Sequence, residues 1–352
     1  MSYDPADTPS FLTPLLSLLE RGYLWGQGIS ARRHEARVLR GELPLHLPRP
    51  VISVGNIVAG GTGKTPVVEA LAREWLARGG KPALLSRGYK GGVDGNDEYR
   101  LLQRRLPKVP HFQNRDRWRG GRELLAAHAD VDLFILDDGF QHRRLHRDLD
   151  LLLLDCTRPF GYGHCLPRGL LREPWTALAR ADAFLLTRVE AANPEKLAMT
   201  RAFLAQRFPQ IPVIDVAPSY GELLATTAGS DSAAMPKLPW DVARTKSWAA
   251  FAGIGNPAAF FQAVRDQGLD LRETRSFPDH HPFGSRELAV LAQWGQGLGV
   301  EGLVCTEKDG VKLRALPACS DVTPPIYELP LSVSFAEPHP LDLLSPADHA
   351  SA

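Results

Sequence analysis

Cysteine is scarce in this 352-residue chain: Cys156, Cys165, Cys305 and Cys319 are the only four, and none forms a C-x-x-C pair. That excludes a disulfide framework or an evident metal framework, and reads as reduced thiols in a cytosol-facing protein. Neither sign of charge dominates, since 41 Lys and Arg face 40 Asp and Glu. A formal net charge of +1 gives no electrostatic footprint for bulk nucleic-acid binding. No apolar run approaches the ~18–20 residues that a bilayer-spanning helix needs, and there is no internal repeat. What remains, 44% hydrophobic and 23% charged residues, is the composition of a folded globular protein with room for two domains.

The most specific string lies early. Val51-Ile52-Ser53-Val54 is a short apolar strand, followed by Gly55-Asn56-Ile57-Val58-Ala59-Gly60-Gly61-Thr62-Gly63-Lys64-Thr65-Pro66. Strand, glycine-rich turn and helix start together make a cradle for nucleotide phosphates. Gly60, Gly61, Thr62 and Gly63 expose backbone N–H groups, Lys64 adds positive charge near the β/γ-phosphates, and the Thr65 hydroxyl can ligate Mg²⁺. The strict pattern asks for glycine at position 58, where this chain carries Val58.

Downstream, apolar runs alternate with helical patterns, which predicts a mainly parallel sheet covered on both faces. The expected strands are 50–55, 82–86, 132–137, 149–155, 182–187 and 211–216, with helices over 66–78, 118–129 and 194–207. Val67, Val68, Ala70, Leu71 and Leu76 form the expected buried stripe of the first helix. Between Pro218 and Pro239 the chain turns to Ala, Thr, Ser, Gly and Pro, which reads as a linker. A second αβ pattern follows: a strand near 247–252, helices from Pro257 to Gln267 and Ser285 to Trp294, and a strand at 302–306.

The N-terminus combines Phe11, Leu12, Leu15, Leu16, Leu18, Leu19, Tyr23, Leu24 and Trp25 with a basic stretch at Arg32, Arg33, Arg37 and Arg40. A secretory signal has the opposite order, with its charges first. An interfacial membrane helix and a helix packed on the protein's own core both fit these residues.

Four further strings carry chemistry. The apolar strand ending in Asp137-Asp138 supplies carboxylates for Mg²⁺ at a sheet's C-terminal edge, and Gly139-Phe140-Gln141-His142 adds polar groups there. Arg87, in Ser86-Arg87-Gly88-Tyr89, ends the second strand and can face a substrate phosphate. Asp279-His280-His281 couples imidazole to carboxylate, as proton transfer requires, but lacks the further ligands of a zinc site. Thr306-Glu307-Lys308-Asp309 follows a strand and reads as helix capping or ion pairing.

Taken with Asp97-Glu98, Leu170-Leu171-Arg172-Glu173-Pro174 and Gly253-Ile254-Gly255-Asn256-Pro257, these strings in this order closely resemble the tetraacyldisaccharide 4′-kinases of lipid A biosynthesis. The resemblance runs from about residue 10 to about 330, and that family also lacks the glycine replaced here by Val58. It implies an α/β, P-loop NTPase-like fold: a mainly parallel sheet with helices on both faces, a smaller second α/β domain and an N-terminal membrane-associated helix. The expected division is 1–40 for that amphipathic segment, 41–220 for the P-loop kinase core, 221–245 for a linker, 246–335 for the smaller domain and 336–352 for a poorly ordered tail.

The implied reaction is ATP-dependent phosphorylation of the 4′-hydroxyl of a tetraacyldisaccharide 1-phosphate, giving lipid IV-A at the cytoplasmic face of the inner membrane of a Gram-negative-type cell. Its implied partners are that lipid and the membrane surface, with no nucleic acid and no protein partner. Residue by residue, the resemblance implies Asp97 as the catalytic base assisted by His280, with Asp279 orienting the imidazole. It makes Asp137 and Asp138 the acidic pair that organises Mg²⁺ with Thr65, Asp138 counting also among the catalytic residues. Arg172 and Glu173 are implied to line the substrate site, where the strand-end residues Arg87, Gln141 and His142 are also expected. Asn96 and Tyr99 depart from the family's glycine and proline around Asp97-Glu98. The two halves are expected to close around ATP and acceptor. Two rivals are a partitioning-type, membrane-associated P-loop ATPase switch, whose signature lysine is missing from Asn56-Ile57-Val58-Ala59, and a non-catalytic nucleotide-binding scaffold.

Overall fold

The computed structural model describes residues 12–88, 97–227 and 235–344. Phe11, Tyr89, Asn96 and positions 345–352 of the expected tail lie outside the described residues. Two compact units emerge. The larger comprises described residues 12–88, 108–218 and 333–344, and the smaller 97–107, 219–227 and 235–332.

The larger unit starts with helix α1 (Thr13–Leu39), then β1 (Val51–Gly55), α2 (Lys64–Ala77) and β2 (Pro82–Ser86). After α3 (Asp97–Arg105), which belongs to the smaller unit, come β3 (His111–Gln113), α4 (Arg117–Ala127), β4 (Leu133–Asp137), β5 (Leu149–Asp155), β6 (Ala183–Thr187), α5 (Pro194–Arg207) and β7 (Val213–Tyr220). The smaller unit continues with β8 (Leu223–Ala225), β9 (Lys237–Leu238), α6 (Trp240–Ala243), β10 (Ser247–Ala252), α7 (Pro257–Asp266), β11 (Asp270–Ser276), α8 (Ser285–Leu298), β12 (Gly302–Thr306), α9 (Glu307–Arg314) and β13 (Ile326–Leu329). Strand β14 (Leu331–Phe335) leads back to the larger unit.

The sheet of the larger unit runs β14-β7-β6-β5-β1-β4-β2-β3, and its pairings from β3 to β7 are parallel. Alternate side chains along a strand face opposite ways. Val51, Ala83, Leu85, Phe134 and Leu136 therefore share a cluster with Leu124 of α4. Their neighbours Ile52, Leu84, Leu133 and Ile135 are buried under the other face, and α2 packs on β1, β2 and β4. Strand β1 lies between β5 and β4, where the strand order reverses, so its C-terminal end opens on the crevice that suits a ligand.

In the smaller unit the order is β11-β10-β12-β13-β8-β9. Trp248, Ala250 and Ala252 of β10 pack with Phe261 and Val264 of α7, and the intervening Ala249 and Phe251 pack with Leu288 and Leu291 of α8.

Several expectations need correcting. Helix α1 is longer than its apolar stretch and carries the arginines of positions 32–37 as well. On α2, Leu76 is exposed and Ala72 takes the inward place. The stretch read as a linker contains β8 and β9, which pair antiparallel and extend the smaller sheet. Residues 97–107, expected in the kinase core, belong to the smaller unit. In the expected tail, Leu341 and Leu344 are buried, so residues 336–344 pack as part of the larger unit.

Candidate active site

Strand β1 ends at Gly55, where a Cβ would stand 2.5 Å from Phe140 Cβ and 2.6 Å from the Phe140 nitrogen. A missing side chain there lets the turn after β4 press against the phosphate loop. Gly60 and Gly63 have φ of 121° and 86°, which L side chains rarely adopt. Gly63 thus turns the chain into α2, leaving the first N–H groups of the helix unbonded within it. Pro66 falls in that first turn, where its missing N–H costs no helical bond.

Residues 57–59 are laced to 170–172: Ala59 N donates to Leu170 O at 2.7 Å and Arg172 N to Ile57 O at 2.6 Å, with Val58 bridged to Leu171. Val58 is buried in that pairing, which explains how the loop dispenses with glycine at this position. The same lacing delivers Arg172. Its Nη1 donates to both Asp138 oxygens at 3.0 Å, and Lys64 Nζ lies 3.4 Å from Asp138 Oδ1. Burial works to raise the pKa of Asp138, but Lys64 and Arg172 outweigh it and hold the carboxyl below its usual range. Lys64 also donates to Asn56 Oδ1 at 3.1 Å, and Gln141 Nε2 to Asn56 O at 2.9 Å.

Asp137 ends β4 beside Val54 of β1, and it is buried, as is Thr65 in the first turn of α2. The Thr62 Oγ1 is buried without a partner among the described residues, as a hydroxyl shaped for an absent phosphate would be. Arg87 is exposed at the end of β2. His142 is buried enough for its pKa to fall to about 4, the neighbouring Arg117 and Arg147 adding to that effect; at neutral pH it is an uncharged imidazole. Glu173 turns elsewhere: it is buried and gripped by Arg180 at 2.8 and 3.0 Å.

Within the smaller unit, Asp97 opens α3 and meets His280 from a loop 183 positions away, with Oδ2 3.5 Å from Nδ1. His280 has φ of 59°, and its nitrogen donates to Gly253 O at 3.1 Å. Asp279 Oδ1 stands 4.0 Å from His280 Nε2, too far for a hydrogen bond. A carboxylate beside an imidazole can accept a proton, and such contacts are often long before substrate arrives.

Three residues escaped the sequence reading. Asn56 is fully buried and seats Lys64. Arg117, also buried, has its pKa lowered by burial and by Arg87 while Asp138 and Asp137 oppose this, so it belongs to the same charged cluster. Lys312 Nζ lies 3.3 Å from Asp97 Oδ2. Lys312 lies far in sequence from Asp97, and Arg117 from Arg87 and Asp138, whereas Asn56 sits only eight positions before Lys64. The four cysteines are free and buried, and burial pushes Cys156 to about 12, which leaves no reactive thiol there.

The family model described as Tetraacyldisaccharide-1-P 4′-kinase (LpxK) matches residues 12–346. The tetraacyldisaccharide 4′-kinase of Geobacter metallireducens is 36% identical, covering 93% of this chain and 96% of its own. That of Syntrophobacter fumaroxidans is 40% identical over 85% and 80%. A crystal structure of LpxK from Aquifex aeolicus in complex with ATP superposes with a TM-score of 0.66 at 28% identity, covering 96% of this chain and 99% of that one. On a match of this extent, the chain belongs to the tetraacyldisaccharide 4′-kinase family.

Proposed function

We propose that this chain transfers the terminal phosphoryl group of ATP to the 4′-hydroxyl of a tetraacyldisaccharide 1-phosphate, giving lipid IV-A. One observation carries the reading beyond family membership: Asp97 and His280, 183 positions apart in sequence, come within 3.5 Å of each other, as a base and its assisting imidazole must. Phosphoryl transfer needs alignment, charge neutralisation and a proton acceptor, with little covalent work by the protein.

Gly60, Gly61, Thr62 and Gly63 direct N–H groups at the phosphate tail, and Lys64 offsets its charge. Thr65 and Asp137, with Asp138 beside them, suit Mg²⁺, which keeps several waters and takes one or two carboxylates. When bound, Mg²⁺ spreads the negative charge of the phosphates. Asp97 takes the sugar proton, a step worth typically ~10²–10⁴-fold. Gln141, His142, Arg87 and Arg172 are the polar groups through which the acceptor is held.

The acceptor's acyl chains bind the reaction to a membrane surface, at ~0.8 kcal/mol per buried CH₂. Helix α1 suits that surface. Leu15, Leu18, Leu19 and Trp25 recur at helical spacing and are exposed, with exposed Arg32 and Arg33 behind them for anionic headgroups. We place α1 on the cytoplasmic face of the inner membrane, where ATP is available; no helix among the described residues is long and apolar enough to cross a membrane.

Incubation with labelled ATP and tetraacyldisaccharide 1-phosphate tests the activity. Label in the lipid is the expected result; free phosphate with unlabelled lipid would replace the kinase by an ATPase switch.

A further inference from the structure

Helix α3 carries Asp97 but owns little apolar grip: Leu101 and Leu102 are its buried residues. Ion pairs to α9 line both ends of the helix, and they run antiparallel. At the start of α3, Asp97 meets Lys312 at 3.3 Å and Glu98 meets Lys308. At its end, Arg104 and Arg105 meet Glu307 at 3.1 and 3.2 Å, and Arg104 also reaches Glu328 at 3.2 Å. Glu328 is itself clasped by Arg314. The Arg104 end is sealed from water, its side chain 7% exposed against 0% for Glu328.

The Asp97 end is more open, and there two neighbours of Oδ2 among the described residues differ. His280 has a side chain 61% exposed and sits on a loop, whereas that of Lys312 is 11% exposed. Lys312 Nζ is also 3.4 Å from Asp309 Oδ1 and lies over the Phe283 ring at 5.8 Å. Asp309 is fully buried and accepts from Gly253 N at 2.9 Å and Thr306 Oγ1 at 2.8 Å. The carbonyl of that same Gly253 accepts the His280 nitrogen. Asp309 thereby registers the Lys312 ammonium and, through the single residue Gly253, the backbone of His280.

We propose that Lys312, anchored by Asp309, is the positioning residue that aims the Asp97 carboxylate at His280 and at the acceptor hydroxyl. This rests on the reading of Asp97 as the base. A flexible carboxylate at an exposed helix start would populate many rotamers; a covered ammonium fixed from behind selects one. The lysine acts through Asp97; the phosphate loop, Gly60 to Thr65, is built from residues of the larger unit.

The test compares Lys312→Met, Lys312→Arg and Asp97→Asn, alone and with Lys312→Met combined with Asp97→Asn, using labelled ATP and tetraacyldisaccharide 1-phosphate. Lys312→Met is expected to lower kcat about 10- to 100-fold, within the ~10²–10⁴ that a general base supplies, and to leave KM for ATP unchanged. Lys312→Arg recovers most of the loss. On the Asp97→Asn background, Lys312→Met adds less than about 2-fold, because residues acting through one group are not additive. Thermal unfolding monitors the fold, and Lys312→Gln replaces the methionine variant if that one is unstable. Normal kcat in Lys312→Met, or a full further loss on the Asp97→Asn background, overturns the proposal. Near-normal turnover of Asp97→Asn itself instead removes the base reading on which it rests.

Discussion

Arg172 and Glu173 are adjacent in the chain and serve opposite ends of the same wall. The Arg172 guanidinium reaches both oxygens of Asp138. Glu173 points into the protein, where Arg180 grips it from a position 4.3 Å over the Phe140 ring. Sequence alone joins them in one motif and assigns both to the site; side-chain direction separates them. Glu173→Gln is therefore expected to lower stability by about 1–3 kcal/mol, the cost of leaving Arg180 without its charged partner, with both KM values retained. Calorimetry beside steady-state kinetics checks this. A raised acceptor KM at unchanged stability would return Glu173 to the substrate site.

At the scale of elements, α1 has two faces with different work. One docks on the larger unit through polar contacts. Glu20 is buried and accepts from Cys165 N at 2.8 Å, and Tyr23 Oη donates to Arg172 O at 2.7 Å, where Gln27 Nε2 also donates at 3.2 Å. The other face holds the exposed leucines and Trp25. Removing the helix would strip partners from Cys165 and from the carbonyl of a site residue, so truncation mixes two effects. Replacing Leu15, Leu18, Leu19 and Trp25 by serine is the cleaner experiment. It is expected to reduce binding to anionic vesicles by about 100-fold or more, given roughly 1.5–3 kcal/mol for each large apolar side chain buried, while soluble ATP binding persists. Undiminished vesicle binding would move the membrane contact elsewhere.

Elements also differ in how far their own sequence announces them. β1, β4, β5 and β6 are apolar runs buried on both faces, the signature of a covered parallel sheet, and their ends coincide with the chemical strings. Helix α3, Asp97-Glu98-Tyr99-Arg100-Leu101-Leu102-Gln103-Arg104-Arg105, is mostly charged and is stabilised by α9, some 200 positions away, so no local pattern reveals it. β8 and β9 have three and two residues, too few for alternation to register. Lys312 and Asn56 are harder to read because one partner of each, Asp97 for Lys312 and Gln141 for Asn56, is far away in sequence, whereas Lys64 and Asp138 sit inside readable strings.

For the whole molecule, burial of titratable groups sets a pH response. Burial lowers His111 and His142 from the ordinary 6.5 to about 4, and raises Asp150 from 3.8 to about 6 against the opposing pull of Arg147. As pH falls from 6.5 towards 4, the unfolded chain gains protons at both histidines that the folded chain refuses, and stability declines. Asp150 acts the other way. Between pH 3.8 and about 6 the folded chain keeps a proton that the unfolded chain has released, so its contribution rises on acidification. Of these three groups, the two histidines together outweigh Asp150 in this range. Asp150→Asn removes the opposing contribution, and its denaturation midpoint is expected to fall more steeply between pH 6 and 4 than that of the parent chain. A shallower fall would contradict the assignment.

The proposed reaction needs Asp97 as the base for transfer from a nucleotide held at Gly60 to Thr65. It is tested most directly by measuring ATP affinity and phosphoryl transfer on one preparation of Asp97→Ala. Unchanged ATP binding with transfer to lipid reduced by ~10²-fold or more, the contribution of a general base, is the predicted result. Near-normal transfer to the lipid would contradict it.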